Sequence, residues 1–258
     1  MSWVSEVLFG VAKWMPIDLH VHTGLSPCAE QEMSPWNIVR MAQLEKLALI
    51  AITDHNTVAN AGTVMQVGAE LGLSVLAGME VQTREEVHLL AIFPTLDLAL
   101  AFEKFVWEYL PDIPNRPEVF GEQILYDSED KQIGSIEKLL MQSVLLGVEE
   151  VGEAIAAHEG LVIASHINRR AYSLIGQLGF VPPDLSLDAV EIDRSFTYER
   201  FTNEYEQLRQ YPVLCNSDAH QLTDLVGSFQ SVVLMERPSF AALKSLLASR
   251  DHLRIRVG

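Results

Sequence analysis

The chain has 258 residues, of which 48% are hydrophobic, and this is enough to build one large domain or two small ones around a sizeable core. Its 35 acidic residues outnumber its 18 Lys and Arg residues, so the formal net charge is -17. A charge of this sign repels polyanions at long range and argues against an extended nucleic-acid-binding face. A small anion could still be held locally by a metal ion or an arginine.

The cysteines and the N-terminal residues bear on where the protein works. Cys28 and Cys215 are far apart and form no disulfide framework, which predicts a reducing cytoplasm. No stretch reaches the roughly 18 apolar residues of a membrane span, so we expect no membrane partner. Residues 1–15 lack a basic leader and a cleavage site, and we expect an amphipathic segment that packs on the domain rather than a targeting signal.

Apolar runs of strand length alternate with segments of helical spacing, which is the pattern of an α/β domain with parallel strands. Strands are predicted at Ile17–Val21, Ala48–Thr53, Ser74–Ala77, His88–Phe93, Leu161–Ala164, Ala189–Ile192, Val213–Asn216 and Ser231–Met235. Helices are predicted at Pro35–Lys46, Val58–Leu71, Val148–His158, Glu199–Gln210 and Ser239–Ala248, with N-caps at Ser34, Asn56 and Ser239. Seven or eight such strand-helix units favour a barrel.

The alternation breaks between about residues 95 and 147, where a helical stretch leads into the segment PDIPNRPEVFGEQILYDSEDKQIG, rich in proline and charge. We interpret residues 95–147 as an insertion in a single domain that spans residues 1–258. The insertion has too few apolar residues for a core of its own, so we expect a lid or an edge elaboration rather than an independent domain.

Histidines and acids lie near the ends of the predicted strands, where barrel enzymes place their active sites. The sequence IDLHVHT puts two imidazoles on the same strand face, and NSDAH does the same with a carboxylate and an imidazole. Each residue alone is better explained as a structural or surface group. Together they favour a metal site, and its candidate ligands are His20, His22, His55, Glu80, His88, His166, Asp218 and His220.

The residue types narrow the chemistry of this site. Imidazoles and carboxylates without obligatory thiolates suit Zn, Mn or Fe at more than one position. A bridging carboxylate such as Glu80 lets two ions activate one shared water. Arg169 and Arg170 follow His166, and a guanidinium suits phosphate oxygens, although two adjacent arginines can equally be surface charge. We interpret His158 and His252 as structural.

The ordered motifs DLHVHT, TDHN, GMEV, EVHLL, ASHINR and NSDAH resemble those of the polymerase-and-histidinol-phosphatase (PHP) metallophosphoesterases, from about Pro16 to about Gly227. The stretch AYSLIGQLGFVPPDLSLDAVEI is similar to that of stand-alone bacterial members, which carry no polymerase. The resemblance implies a distorted (β/α)7 barrel with two or three divalent metal ions at the C-terminal ends of its strands.

The resemblance also implies a ligand set. One ion would take His20, His22, Glu80 and Asp218, a second would take Glu80, His88 and His166, and a third would take His55 and His220. Asp54 would support these ligands without binding an ion itself.

The chain departs from the family pattern just after the HxH pair. Family members commonly place Asp or His five or six residues further on, where this chain has Pro27 and Cys28. Cys28 could supply a thiolate to the third ion, Glu30 or Glu32 could reach in, or Cys28 could be a plain buried residue.

The expected activity is hydrolysis of a small phosphorylated metabolite or nucleotide by a metal-activated water. Glu80, Asp218 and His220 are the candidate catalytic residues, and Arg169 is the candidate clamp for the substrate phosphate. One alternative is an exonuclease or other nuclease that acts on DNA or RNA ends, for which the sequence shows few basic residues. Another is a non-catalytic metal-binding sensor, which the departure at Pro27 and Cys28 keeps open. The substrate, native metal and oligomeric state are left open by the sequence.

Overall fold

A computed structural model of the chain describes residues 11–227 and 231–257. Its strands are β1 (Lys13–Val21), β2 (Leu49–Ile52), β3 (Ser74–Gln82), β4 (His88–Phe93), β5 (Ile124–Tyr126), β6 (Gln132–Ser135), β7 (Leu161–Ala164), β8 (Ala189–Ile192), β9 (Val213–Cys215), β10 (Ser231–Met235) and β11 (Ile255–Val257). The helices are α1 (Pro35–Leu44), α2 (Ala61–Leu71), α3 (Leu96–Tyr109), α4 (Pro117–Phe120), α5 (Val148–Ala157), α6 (Leu174–Leu178), α7 (Tyr198–Glu204) and α8 (Phe240–Ser249). Most of the predicted segment 1–15 lies outside the described residues.

A nine-stranded sheet with the order β11-β10-β1-β2-β3-β4-β7-β8-β9 forms a nearly closed barrel. Parallel pairing joins β1 to β2, β2 to β3, β7 to β8 and β8 to β9. The distorted (β/α) barrel and the eight predicted strands are confirmed. The predicted parallel pairing holds for these four pairs of strands, but β4 runs antiparallel to β3 and β7, and β10 runs antiparallel to β1.

The reversal of β4 has a local cause and a consequence for the site. Only residues 83–87 join β3 to β4, which is enough for an antiparallel hairpin but too short for a helical crossover. The first residue of β4, His88, therefore pairs with the last residue of β3, Gln82. His88 thus lies at the same end of the barrel as the C-termini of the parallel strands.

The predicted helices are confirmed with small shifts, except that Glu199–Gln210 becomes α7 followed by a 3₁₀ turn at Glu206–Leu208. Ser239 caps α8 by accepting the N–H of Ala242. The N-cap at Asn56 is wrong, since α2 begins later, after Asn60. Ser34 occupies the N-cap position of α1, but its hydroxyl donates to Asp130 instead of capping the helix.

Buried apolar residues form two clusters that the strands separate. In β2, Ile50 and Ile52 join a cluster with α1, α2, α3 and α5, whereas Leu49 and Ala51 join a cluster with α8. All four side chains are fully buried, as expected for a parallel strand covered on both faces. None of the helices in the described ranges is long and apolar enough to cross a bilayer.

Residues 95–147 contain α3, α4 and the β5–β6 hairpin, and hydrogen bonds attach them to the barrel. The N–H of Ile124 donates to the carbonyl of Gly24 (2.8 Å). The carboxylate of Asp130 accepts from the N–H of Trp36 at the start of α1 (2.8 Å). These contacts hold the segment in place beside the loop that follows β1.

The amide of Asn56 attaches the same segment at a second place. Its Nδ2 donates to the carbonyls of Leu140 (2.7 Å) and Gln142 (2.8 Å). This use of the side chain, together with a positive φ of 51°, explains why Asn56 does not cap α2.

Candidate metal centre

The eight candidate ligands converge at one end of the barrel. Six of them line a cavity of about 460 Å³, namely His55, Glu80, His88, His166, Asp218 and His220. The other two, His20 and His22, are fully buried against Glu80 and Asp218. His158 and His252 lie outside this group, since His158 ends α5 and His252 begins a 3₁₀ turn near the C-terminus.

Glu80 occupies the middle of this group and is 1% exposed. Its Oε1 lies 2.9 Å from Nδ1 of His88 and 3.4 Å from Nε2 of His166. Its Oε2 lies 3.1 Å from Nδ1 of His55. Burial alone would raise the pKa of Glu80, but the electrostatic interactions of its carboxylate with the imidazoles of His88, His20 and His55 outweigh it and hold the pKa well below its usual value.

Asp218 divides its two oxygens between the imidazoles and an arginine. Its Oδ1 lies 3.1 Å from Nε2 of His20 and 3.3 Å from Nε2 of His22, while Oδ2 accepts from Nη1 of Arg169 at 2.6 Å. Asp218 and His166 have positive φ angles of 50° and 30°, which residues other than glycine rarely adopt. Such backbone conformations are concentrated at functional sites, where the surrounding structure enforces them.

Hydrogen bonds on the outer side of the rings assign the proton of several imidazoles. Nδ1 of His20 lies 3.1 Å from both carboxylate oxygens of Glu191, so this nitrogen carries the proton and donates it. Nδ1 of His220 donates in the same way to the carbonyl of Asp218 at 2.8 Å. The Nε2 lone pairs of neutral His20 and His220 are therefore free to bind a cation.

The hydrogen bonds of the Ser26 hydroxyl show that the ring proton of His22 is also on Nδ1. Its single proton goes to Oδ1 of Asp54 (2.7 Å), so its oxygen must accept from Nδ1 of His22 (2.9 Å). Asp54 also accepts from the N–H and hydroxyl of Thr23 (2.7 and 2.8 Å). Asp54 is therefore connected to His22 through the hydroxyl of Ser26, and this chain of hydrogen bonds orients the imidazole of His22.

His88 is oriented by the amide of Gln82. Nε2 of Gln82 donates to Ser143 (2.9 Å), which leaves its Oε1 to accept from Nε2 of His88 at 3.3 Å. The lone pair on Nδ1 of His88 is thereby directed at Glu80.

This arrangement fits divalent cations. The Nε2 atoms of His20 and His22 lie only 3.1 Å apart, and both face carboxylate oxygens, so the lone pairs repel unless a cation or a proton lies between them. Burial lowers the pKa of His22 to about 4, which keeps this ring neutral. Burial also lowers the pKa of His20, but Asp218, Glu191 and Glu80 more than offset it and raise the pKa well above its usual value, so a proton can stand in when no metal is bound.

The buried charge leads to the same conclusion. The carboxylates of Asp18, Asp54, Glu80 and Glu191 are at most 1% exposed, and buried anions are costly without cationic partners. Within the described part of the chain, Nδ1 of His166 is buried without a hydrogen bond, and so is Nδ1 of His55 despite its 3.1 Å contact with Oε2 of Glu80. The donor atoms form three groups within 4.8 Å: His20, His22 and Asp218; His22, His55 and His220; and His55, Glu80 and His88.

Cys28 lies in the wall of the cavity, and its exposure overturns the alternative of a plain buried residue. It is absent from the three donor groups found among the described residues. The desolvating surroundings raise the pKa of the Cys28 thiol, and the charges of Glu80 and Asp218 raise it further. Glu30 and Glu32 are exposed and lie outside the residues that line the cavity in the described part of the chain.

Arg169 lies in the cavity wall and is held between two carboxylates. Besides its bond to Asp218, its Nε donates to Oδ2 of Asp193 at 3.3 Å. Asp193 is fixed in turn by the N–H and hydroxyl of Ser195. Arg170, by contrast, is exposed and is not part of the lining of this cavity.

Several residues of the site were not predicted from the sequence: Ser26, Gln82, Phe120, Met141, Tyr172, Glu191 and Asp193. A signal existed for Glu191, because it is a lone acid within the apolar run AVEI and is 1% exposed in the structure. For the other residues, no local sequence pattern indicates that they lie at the site.

A barrel with clustered imidazoles and carboxylates at one end is the architecture of a metal-dependent hydrolase. The sequence model of the PHP domain matches residues 18–239, and the chain belongs to this family of metal-dependent hydrolases. The resemblance seen in the motifs is thereby confirmed.

Relatives and solved structures show what the chain is similar to. An uncharacterized protein of Methanocaldococcus jannaschii is 26% identical over 199 residues, which cover 73% of this chain and 87% of that protein. The lesion-specific Endonuclease Q of Pyrococcus furiosus superposes with a TM-score of 0.70 at 19% identity, over 92% of this chain and 56% of that one. The chain therefore spans just over half the length of the endonuclease.

Two further solved structures match the chain along nearly their whole length. One is described as a metal-dependent phosphoesterase of Bifidobacterium adolescentis, with a TM-score of 0.57, 20% identity and coverage of 90% of this chain and 95% of that one. The other is an amidohydrolase of Chromobacterium violaceum with bound sulfate, with a TM-score of 0.58, 17% identity and coverage of 94% and 98%. At these identities the matches establish the fold.

Proposed function

We propose that this chain is a cytoplasmic phosphatase that hydrolyses a phosphate ester of a small metabolite or nucleotide at a centre of two or three Zn, Mn or Fe ions. The observation that carries this proposal is the convergence of imidazole lone pairs and two carboxylates on one cavity, with the Arg169 guanidinium in its wall. The cytoplasmic location is supported by two cysteines that are both free thiols.

The ligand assignment follows the family pattern, and it is supported in part by the donor groups among the described residues, which join His20, His22 and Asp218 but place His55 rather than His166 with Glu80 and His88. His20, His22, Glu80 and Asp218 would hold one ion, Glu80, His88 and His166 a second, and His55 and His220 a third. The donor group of His55 and His220 also includes His22, but the one lone pair of His22, on Nε2, is assigned to the first ion, so the position of Pro27 and Cys28 leaves the third ion with two side-chain ligands. When bound, the ions would supply Lewis-acid charge and activate a water for attack on phosphorus.

The residues of the chain have separate tasks in this reaction. Glu80 and Asp218 supply negative charge that holds the cations, and Asp218 also fixes Arg169 by a 2.6 Å bond. Arg169 borders the cavity, where its planar guanidinium would bind phosphate oxygens of the substrate. Nδ1–H of His220 is held by the carbonyl of Asp218, so Nε2 is the atom of this ring that could bind a metal or exchange a proton with substrate.

A small substrate is favoured over a duplex by the wall that residues 95–147 build. Phe120 and Met141 from this segment line the cavity, and the hydrogen bonds at Gly24 and Trp36 keep the segment in place. We propose this segment as a fixed lid over one side of the site. The net charge of -17 further disfavours an extended polyanion.

Similarity of fold to an endonuclease makes a nuclease the second candidate. The deciding experiment uses protein purified without added metal, with bound ions counted by elemental analysis. Phosphate release is then measured from sugar phosphates, histidinol phosphate, nucleotides and short oligonucleotides. We expect two or three ions per chain and selective release from a small phosphate. Turnover of oligonucleotides alone would identify a nuclease, and bound metal without any turnover would identify a sensor.

Glu191→Gln is expected to lower metal affinity or activity by about 10- to 100-fold, because partners that orient a metal-binding imidazole have effects of this size. Glutamine can turn its amide N–H toward Nδ1 of His20, which would place the ring proton on Nε2 and direct it into the centre. Metal titration and phosphate release measure the loss. Glu199→Gln, the same change on the exposed surface of α7, is the matched control and should behave as wild type.

A further inference from the structure

Tyr172, in the loop between β7 and α6, combines an unusual backbone with an exposed ring. Its φ is 59°, which is uncommon for any residue other than glycine and more so for a bulky aromatic one. It is 44% exposed and forms part of the cavity wall. Backbone strain of this kind persists where the surrounding structure enforces it, and it is frequent at ligand-binding positions.

The contacts of Tyr172 connect it to the proposed metal centre. Its carbonyl accepts the N–H of His88 at 2.9 Å. Its ring is stacked on the ring of His88, with 4.8 Å between the centroids and an interplanar angle of 24°. Nδ1 of His88 lies 2.9 Å from Glu80. One face of Tyr172 is therefore covered by a candidate ligand, and the exposed part of the ring borders the space that a leaving group would occupy.

The rest of this wall is apolar. Phe120, Met141 and Ala171 line the same cavity and offer no side-chain hydrogen bonds. The nearby amide of Gln82 is already engaged by His88 and Ser143. Among these residues a sugar-like leaving group would find only the hydroxyl of Tyr172 as a hydrogen-bond partner, whereas an aromatic ring would stack on Tyr172 and contact the thioether of Met141.

We propose that Tyr172 is a specificity-determining residue that selects phosphate esters whose leaving group carries a planar aromatic ring next to the ester oxygen. The proposal rests on the proposed phosphatase function and names the substrate class of the same site. Phosphate would lie at the metal centre and Arg169, and the ring of the leaving group would lie against the exposed part of Tyr172.

The test compares benzyl phosphate with cyclohexylmethyl phosphate, which have similar size and the same kind of primary alcohol leaving group but differ in aromaticity. Wild type is expected to prefer the benzyl ester by about fivefold in kcat/KM, which is the range of aromatic pair energies. In Tyr172→Leu the ratio of kcat/KM for the two esters should fall close to one. The cause should be a higher KM for the benzyl ester, while kcat/KM for the cyclohexylmethyl ester should change little. Tyr172→Phe should retain the preference. Tyr198→Leu, at a similarly exposed tyrosine on α7, is the matched control.

Binding separates this proposal from the proposed function. Calorimetry with the Mn²⁺-loaded protein measures affinity for benzylphosphonate and cyclohexylmethylphosphonate, which need no turnover. A benzyl preference that disappears in Tyr172→Leu supports the proposal even if no ester is hydrolysed, and in that case the phosphatase function alone is wrong. Equal binding of the two phosphonates, or equal loss for both esters in Tyr172→Leu, overturns it, because Tyr172 would then only support His88. If the leucine variant does not fold, Tyr172→Gly provides the same test, since glycine accepts a φ of 59°.

Discussion

Replacing Glu80 with Gln is expected to abolish metal-dependent phosphate release, by about 10³-fold or more, because removing a bridging charge costs several kcal/mol of transition-state stabilisation. The side chain keeps its size, but its oxygens no longer carry the charge that faces His20, His55, His88 and His166. Elemental analysis should also find fewer bound ions. Full activity in a folded variant would contradict the ligand assignment.

A stability measurement supplies a second readout for Glu80→Gln. A metal that binds only the folded state stabilises it by mass action, so added Mn²⁺ or Zn²⁺ should raise the melting temperature of wild type. This increase should be smaller in the variant. Glu153→Gln, the same change on the exposed surface of α5, should match wild type in both phosphate release and metal-dependent melting.

Asp218→Asn is expected to lower phosphate release by about 10²- to 10³-fold, because it removes a negative charge from the centre and breaks the ion pair with Arg169. Asparagine is the suitable replacement, since it tolerates the positive φ of 50° that Asp218 adopts. Initial rates over a range of substrate and metal concentrations separate the two contributions. Loss of the charge should raise the metal requirement, and a misplaced Arg169 should raise KM at saturating metal.

The control for Asp218→Asn is Glu159→Gln. Glu159 also has a positive φ, 63°, but its side chain is exposed just after α5 and does not line the cavity in the described part of the chain. This variant should retain wild-type rates. If it lost activity to the same extent as Asp218→Asn, the effect at Asp218 would reflect the backbone and not the charge.

The strands and the candidate ligands could be predicted because their signals are local. Apolar runs of fixed length mark the strands, and the two-residue spacing of His20 and His22 puts both imidazoles on one face. The position of residues at strand ends then follows from the barrel itself. The partners that orient the imidazoles could not be predicted in this way, since Glu191 lies 171 residues from His20 and meets it only in the folded chain.

Two expectations failed for different reasons. The helix N-cap at Asn56 was wrong because its amide binds carbonyls of Leu140 and Gln142, more than 80 residues away. The direction of β4 was wrong because an apolar run reads the same in both orientations, and the short turn before it decides the pairing.

The sequence by itself determined the fold class, the eight main strands and the family, together with the eight residues that converge at the cavity. These properties follow from residue type, spacing and order, which a single chain displays directly. Only the tertiary structure decided which nitrogen of each imidazole faces the centre, how Arg169 is held, and that Tyr172 and residues 95–147 form a wall beside it. These depend on side chains brought together from distant parts of the chain, and no local pattern encodes such contacts.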